Sequence, residues 1–290
     1  MKQDRLSLTA GFMPAVIMAL LLLLEGLLQA DVLPKSTWLV AGAEIAAYLL
    51  PVLLLRFLPD REGKRAVFRF KGYRRQTIPL VFWMALMTAM LAAFANGGAA
   101  LLLRGQSETL GAVMEQYQIE GFWQTVLLIV VLPSIVEELF FRGVMFSALE
   151  RCGTWPALLL TSFAFAMIHG DLYNFAGPFL AGLIYGYLVY TLDSVWPAIF
   201  AHMVNNGVML LLHRMTETFT SLGLWDYVIL FAVFVFCMFL ALSMRTLESQ
   251  MEKGRIKRMQ YRNSGETLTA VFVSPGMWLL LLLFAVRVLY

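Results

Sequence analysis

The chain has 290 residues, 60% of them hydrophobic and 14% charged, with a formal net charge of +3. That balance excludes an ordinary soluble domain, whose surface needs far more charge, and leaves a polytopic membrane protein. Its two cysteines, Cys152 and Cys237, sit at or in apolar segments, which excludes a disulfide framework and a cysteine zinc cluster.

Taken in chain order, nine apolar runs predict an all-α membrane helix bundle: about 11–30, 38–58, 77–102, 121–146, 154–170, 174–192, 195–212, 225–244 and 268–289. The first run follows a weakly basic start and ends in a way that imitates a signal peptide. Glu25 lies in its apolar part, so a retained span is expected. Glu25 and Glu44, in the first two runs, are read as structural, held neutral or hydrogen-bonded to each other. "ANGG" at 95–98 is read as close helix packing.

Two connecting segments, 60–75 and 245–262, are strongly basic, and the positive-inside rule places both in the cytoplasm. Six predicted spans separate them, an even number, so the two assignments agree. The N-terminus is then cytoplasmic, the C-terminus external, and the acidic segment 103–120 external. Topology accounts for the basic residues, so no nucleic-acid partner is expected; contact with anionic membrane lipids is. The domain reading is N-terminal spans with a basic loop over 1–120, a core of spans over 121–212, and C-terminal spans with a second basic loop over 213–290.

The fourth run carries "IVEELFFRG" at 135–143, with Glu137, Glu138 and Arg142 among apolar residues. A charge at membrane depth costs several kcal/mol on the milder scales, about 2.5–3.5, so function is the default reading. Glu138 and Arg142 stand at i and i+4, in the favourable Glu-before-Arg order, and are expected to pair. Glu137 points about 100° away from Glu138 and is left for chemistry. His169 ends "FAFAMIH", with Phe165 one turn earlier on its face. His202 opens "HMVNN", with Asn206 one turn later. His213, beside Arg214, is read as interfacial. Alone, either histidine would more often hydrogen-bond between helices. Together with Glu137 and Asn206, on three separate apolar segments, they form a set able to hydrolyse an acyl bond. A glutamate can activate water as general base, and a histidine or asparagine can donate to an oxyanion. Alternatively Glu137, His169 and His202 can ligate zinc. There is no GxSxG elbow, no HExxH and no glycine-rich phosphate loop.

"EELFFR" at 137–142, "FAMIH" at 165–169 and "HMVNN" at 202–206 resemble the EExxxR, FxxxH and HxxxN motifs of the CPBP family. That family comprises CAAX prenyl endoproteases and the bacterial bacteriocin-processing or self-immunity (Abi) proteins. The resemblance covers about 121–212. It implies an intramembrane endopeptidase, a hydrolase of the CAAX protease type. Glu137, helped by His169, would activate water; His202 and Asn206 would bind the carbonyl oxygen; Glu138, Arg142 and Phe165 would support them. Such proteins have been called metalloproteases. Zinc on Glu137, His169 and His202 stays open, with the metal-free route preferred because Asn206 serves a carbonyl oxygen better than a metal. The implied partner is a peptide or membrane-protein substrate, and the implied setting a bacterial plasma membrane. The rival functions are a non-enzymatic immunity or scaffold protein and a proton-coupled transporter; no repeated halves point to the latter. The expected geometry is one polar cavity shared by Glu137, His169, His202 and Asn206, opening toward the cytoplasm.

Overall fold

A computed structural model describes residues 5–57, 69–105, 114–115, 118–150, 153–222, 225–259 and 274–289, without the side chains of 5–8, 216–222 and 225–226. The described residues form helices and connections. Nine helices of fifteen or more residues follow one another: α1 (Arg5–Gln29), α2 (Thr37–Phe57), α3 (Ile78–Leu103), α4 (Phe122–Leu149), α5 (Thr154–Ile168), α6 (Ala176–Leu192), α7 (Trp196–Leu222), α8 (Trp225–Glu252) and α9 (Pro275–Leu289). Each covers one of the predicted apolar runs.

Length separates them. Five helices are long and apolar enough to cross a membrane: α1, α2, α3, α4 and α8. The apolar helices α5, α6 and α9 are shorter. At about 1.5 Å per residue, α5 reaches only about 22 Å, less than a hydrocarbon core of about 30 Å. Of the nine expected spans, five have the length and apolar composition to cross a membrane among the described residues. The helix α7 runs to Leu222, ten residues past the predicted end at 212, and takes in His213. Of the basic and acidic connections, 58–68, 106–113, 116–117 and 260–273 lie outside the described residues, as does Cys152; Cys237 is exposed on α8.

Helix α4 is the centre of the bundle. Phe140, Phe141, Val144, Met145 and Phe146 are completely buried, in contact with α1 and α2 on one side and α5, α6 and α7 on the other. The outlying α8 rests on α3 through Trp83–Phe239 and Phe94–Phe236 ring contacts. It exposes Phe231, Phe234 and Leu230, the surface a lipid-facing helix presents. Close approach of α5 and α6 rests on glycine. Gly182 and Gly186 are one turn apart on α6, and a Cβ on them would lie 2.9 Å from Arg142 and 2.4 Å from Leu158. This is small-residue packing of the kind membrane helices use.

Both basic segments meet at one end of the bundle. Asp193, in the left-handed conformation that ends α6 (φ 52°), accepts Arg69 at 3.2 Å, Lys257 at 3.5 Å and Lys71 at 3.9 Å. Arg69 also pairs with Glu150 at the end of α4. The backbone joins in: Val195 N donates to Arg69 O and Lys257 N to Thr191 O. The described parts of the two basic segments therefore share one end, as an even number of crossings requires.

Candidate active site

Two π-helical turns interrupt α4, at Val126–Val131 and Leu139–Met145, and the acidic pair sits between them at the end of Leu132–Glu138. Such turns insert an extra residue into an α-helix and commonly mark functional positions. Pro133 contributes. It has no N–H, so the carbonyl of Ile129 four residues earlier lacks its helical donor. Asn206 of α7 supplies one, its Nδ2 donating to Ile129 O at 3.1 Å. The Asn206 Oδ1 accepts from Asn205 at 3.2 Å. Asn206, expected to face a substrate carbonyl, thus fastens α7 to α4 and keeps one amide hydrogen for other use.

The two glutamates have different surroundings. Glu138 is completely buried and its Oε1 accepts from Arg142 Nη1 at 2.8 Å. The same oxygen lies 3.1 Å from His202 Nδ1. Arg142, also completely buried, lies 4.4 Å over the face of Phe165 and 5.4 Å from the Tyr185 ring centre. Such cation–π contacts stabilise a guanidinium where water does not. Glu137, 8% exposed, has no hydrogen-bond partner on its buried Oε2. Its charged neighbours are Glu44, Glu138 and Arg142. The separation of roles read from helix geometry is accompanied by a feature it did not foresee: His202 is tied to Glu138.

Phe165 joins both histidines. Its ring packs edge-on against His169 at 4.9 Å and His202 at 5.5 Å, with Phe141 at 5.2 Å. His169 closes α5. Gly170, at φ 66°, ends the helix in the left-handed region, where a Cβ would also meet Arg287 at 2.8 Å. His169 Nδ1 lies 2.8 Å from Phe165 O. A carbonyl only accepts, so Nδ1 carries the proton and Nε2 is the free acceptor. Tyr185 stacks on His202 at 5.4 Å and 24°.

His169 lines a cavity of about 240 Å³ with Glu25, Glu44 and Arg287 among leucines. Glu137, His202 and Asn206 are not in its lining. It opens beside the C-terminal ends of α1, α5 and α9, the end opposite the Asp193 junction. The expected cavity common to all four residues, open at the basic end, is not what this wall shows. Nor do Glu25 and Glu44 bond to each other: Glu25 pairs with Arg287 of α9 and accepts from Gln29 at 3.4 Å, while Glu44 is a charged neighbour of Glu137 and Tyr48. Tyr48, one turn beyond Glu44, packs on Phe140 and Phe141 at 6.3 and 6.4 Å. Depth is partly reconciled by α4 running on to Leu149, which puts Glu137 about 18 Å from that end, nearer to the roughly 20 Å reckoned for His169.

Zinc would need Glu137, His169 and His202 around one point. Among the described residues no three His, Cys, Asp or Glu side chains gather to hold a metal. His202 Nδ1 faces Glu138 and His169 Nδ1 faces Phe165 O, which leaves Nε2 of each ring for water, substrate or a metal.

"ANGG" has a different use from the packing expected. No atom approaches a Cβ on Gly97 or Gly98 within 4 Å. Asn96 is the working residue: its Oδ1 accepts from Gly177 N and its Nδ2 donates to Asn174, both at 2.6 Å, holding the start of α6. Sequence reasoning named Glu44 as structural and away from the site, and passed over Tyr48, Arg287 and Tyr185. The Gly182–Gly186 spacing was the available signal for Tyr185, which lies between them.

Residues 119–208 match the family described as "Type II CAAX prenyl endopeptidase Rce1-like". The chain is also 25% identical over 179 residues to a protein of Bacillus subtilis (strain 168) named "Putative membrane peptidase YdiL", across 58% of this chain and 68% of that one. No solved structure matches.

Proposed function

With the Rce1-like family assignment carried by residues 119–208 as the premise, we propose that the chain is a membrane-embedded endopeptidase that hydrolyses a peptide bond with a glutamate-activated water. The observation that carries this reading is Glu137. Its carboxylate is buried at the end of Leu132–Glu138, just before the second π turn of α4, and, unlike Glu138, it has no hydrogen bond to an arginine or a histidine among the described residues. An acceptor of that kind takes a proton from water as the water attacks the carbonyl carbon. His169, with Nε2 as its free acceptor, orients the water from the end of α5.

His202 acts on the other side of the bond. With Nδ1 directed at Glu138, Nε2 is the ring atom left for substrate. Glu138 holds the ring in orientation and stabilises it when it carries a proton, as a carboxylate does for a catalytic histidine. In the doubly protonated ring Nε2–H hydrogen-bonds the developing oxyanion, and Glu137 passes the proton it took from water to the departing amine as the C–N bond breaks, which returns it to the carboxylate. The second amide hydrogen of Asn206 assists at the oxyanion. Each step uses protein groups alone. The same reading places the nine helices across a bacterial plasma membrane, the Asp193 junction cytoplasmic and the His169 cavity external, with a peptide or membrane protein as substrate.

The test compares membrane proteomes of cells bearing the wild-type chain, Glu137→Gln and an empty vector. New peptide termini are expected with the wild type alone. Identical termini in all three, together with an immunity phenotype retained by Glu137→Gln, would replace the enzyme with a non-cleaving immunity protein. Zinc in the purified protein, with cleavage lost on chelation and restored by zinc, would replace the metal-free route.

A further inference from the structure

The N-terminal helices lie outside the matched segment, yet α2 brings a carboxylate to the site. Glu44 lines the cavity that His169 lines and is a charged neighbour of Glu137. The charges around it divide unevenly. Arg287 is matched by Glu25, and Arg142 by Glu138. Among the described residues no cation pairs with Glu44 or with Glu137. Glu44 stands on the cavity wall among Met18, Leu21 and Val40, apolar surroundings that concentrate its field, and that field extends to Glu137 on α4.

We propose that this cavity is the chamber that receives substrate, and that Glu44 is its specificity-determining residue, seating a lysine or arginine side chain next to the scissile bond. The inference rests on the endopeptidase reading and names the substrate class for it. A cationic side chain supplies the charge the chamber lacks, and an acidic one is repelled by it, so attraction and exclusion both act in selection. The size agrees: about 240 Å³ is less than the roughly 300–1,000 Å³ of a drug-sized pocket and suits one long side chain. His169 on the same wall keeps the seated residue beside the reacting bond. Tyr48, one turn beyond Glu44 on α2, packs on Phe140 and Phe141 of α4 and feels the charges of both Glu44 and Glu137.

Two measurements on the full chain in lipid vesicles test this. In the first, Val40→Cys on the cavity wall is placed in a background with Cys152 and Cys237 replaced by serine. It is labelled with cationic trimethylammonioethyl methanethiosulfonate or anionic sulfonatoethyl methanethiosulfonate. The cation is expected to react about tenfold faster or more, after correction for the reagents' rates with a free thiol. Glu44→Gln should abolish that ratio, and Glu44→Asp, which keeps the charge and controls for folding, should keep it. In the second, a degenerate peptide pool is digested and the products sequenced. The wild type should enrich lysine and arginine at one position beside the cut, Glu44→Gln should lose the enrichment, and Glu44→Lys should favour aspartate and glutamate. Equal labelling by both reagents, or cleavage indifferent to charge, overturns the role of Glu44 and leaves the endopeptidase standing. Charge-selective labelling with no cleavage by the wild type keeps the cation site and overturns the endopeptidase.

Discussion

Glu137 and Glu138 are chemically identical neighbours whose surroundings differ. Each has a buried Oε2 with no partner, but Glu138 shares its other oxygen between Arg142 and His202, and Glu137 has no such bond among the described residues. Glu137→Gln keeps shape and polarity but is no useful base, so it is expected to fold at wild-type yield and lose cleavage altogether. Arg142→Ala leaves Glu138 buried without its counter-charge, a loss of about 3–5 kcal/mol when one partner of a buried pair is removed. Its folded yield should fall sharply in size-exclusion profiles. A stable, inactive Arg142→Ala beside a non-folding Glu137→Gln would reverse the assignment. The Glu138–Arg142 pair was legible because i,i+4 spacing is a local property. The Glu138–His202 bond was not, because it depends on how α7 packs against α4.

At the scale of the helix, Asn206, Ile129 and Pro133 form one unit. Removing the asparagine orphans a carbonyl that Pro133 has already deprived of its helical donor. Asn206→Leu should cost about 1–2 kcal/mol, the range of an interhelical hydrogen bond in a membrane, read from thermal unfolding in detergent. In a Pro133→Ala background, where the restored N–H can reach Ile129 O, that cost should shrink; an unchanged cost would show that the bond carries no weight. Gly182 makes a related case. A Cβ there meets Arg142 at 2.9 Å and Ser162 Cβ and Cα at 3.0 and 3.1 Å, whereas on Gly186 it meets the mobile end of Leu158. Gly182→Ala should therefore lower the unfolding temperature more than Gly186→Ala. The helices themselves were legible from apolar runs, because lipid and core both demand them. The π turns were not, since one inserted residue leaves hydrophobicity unchanged; only Pro133 hinted at a broken ladder.

Across the whole molecule, the basic segments were expected on one side and are found at one end, gathered by Asp193. Cysteines at Arg74 and Arg258 should be labelled from the cytoplasmic face of sealed vesicles, and one at Asp31 from the opposite face. Labelling of Arg74→Cys and Arg258→Cys from opposite faces would dismantle the topology. Charge distribution made this arrangement readable from the chain alone. What it concealed was the contribution of α1, α2 and α9 to the cavity. Glu25, Glu44 and Arg287 carry no mutual spacing in the sequence, and only packing unites them.

The pairing of α9 with α1 has a consequence in time. Gly276 lets the two backbones approach, a Cβ there lying 2.6 Å from Phe12 Cα, and Arg287 reaches Glu25 to close the wall beside His169. Of the nine helices, α9 is the last to leave the ribosome. The three motifs are synthesised and inserted well before residue 287, so the nascent chain carries its acid, its imidazoles and its amide with one wall of the chamber absent. The cavity wall is therefore completed late in biosynthesis, and a chain halted before α9 carries Glu137, His169, His202 and Asn206 without that enclosure.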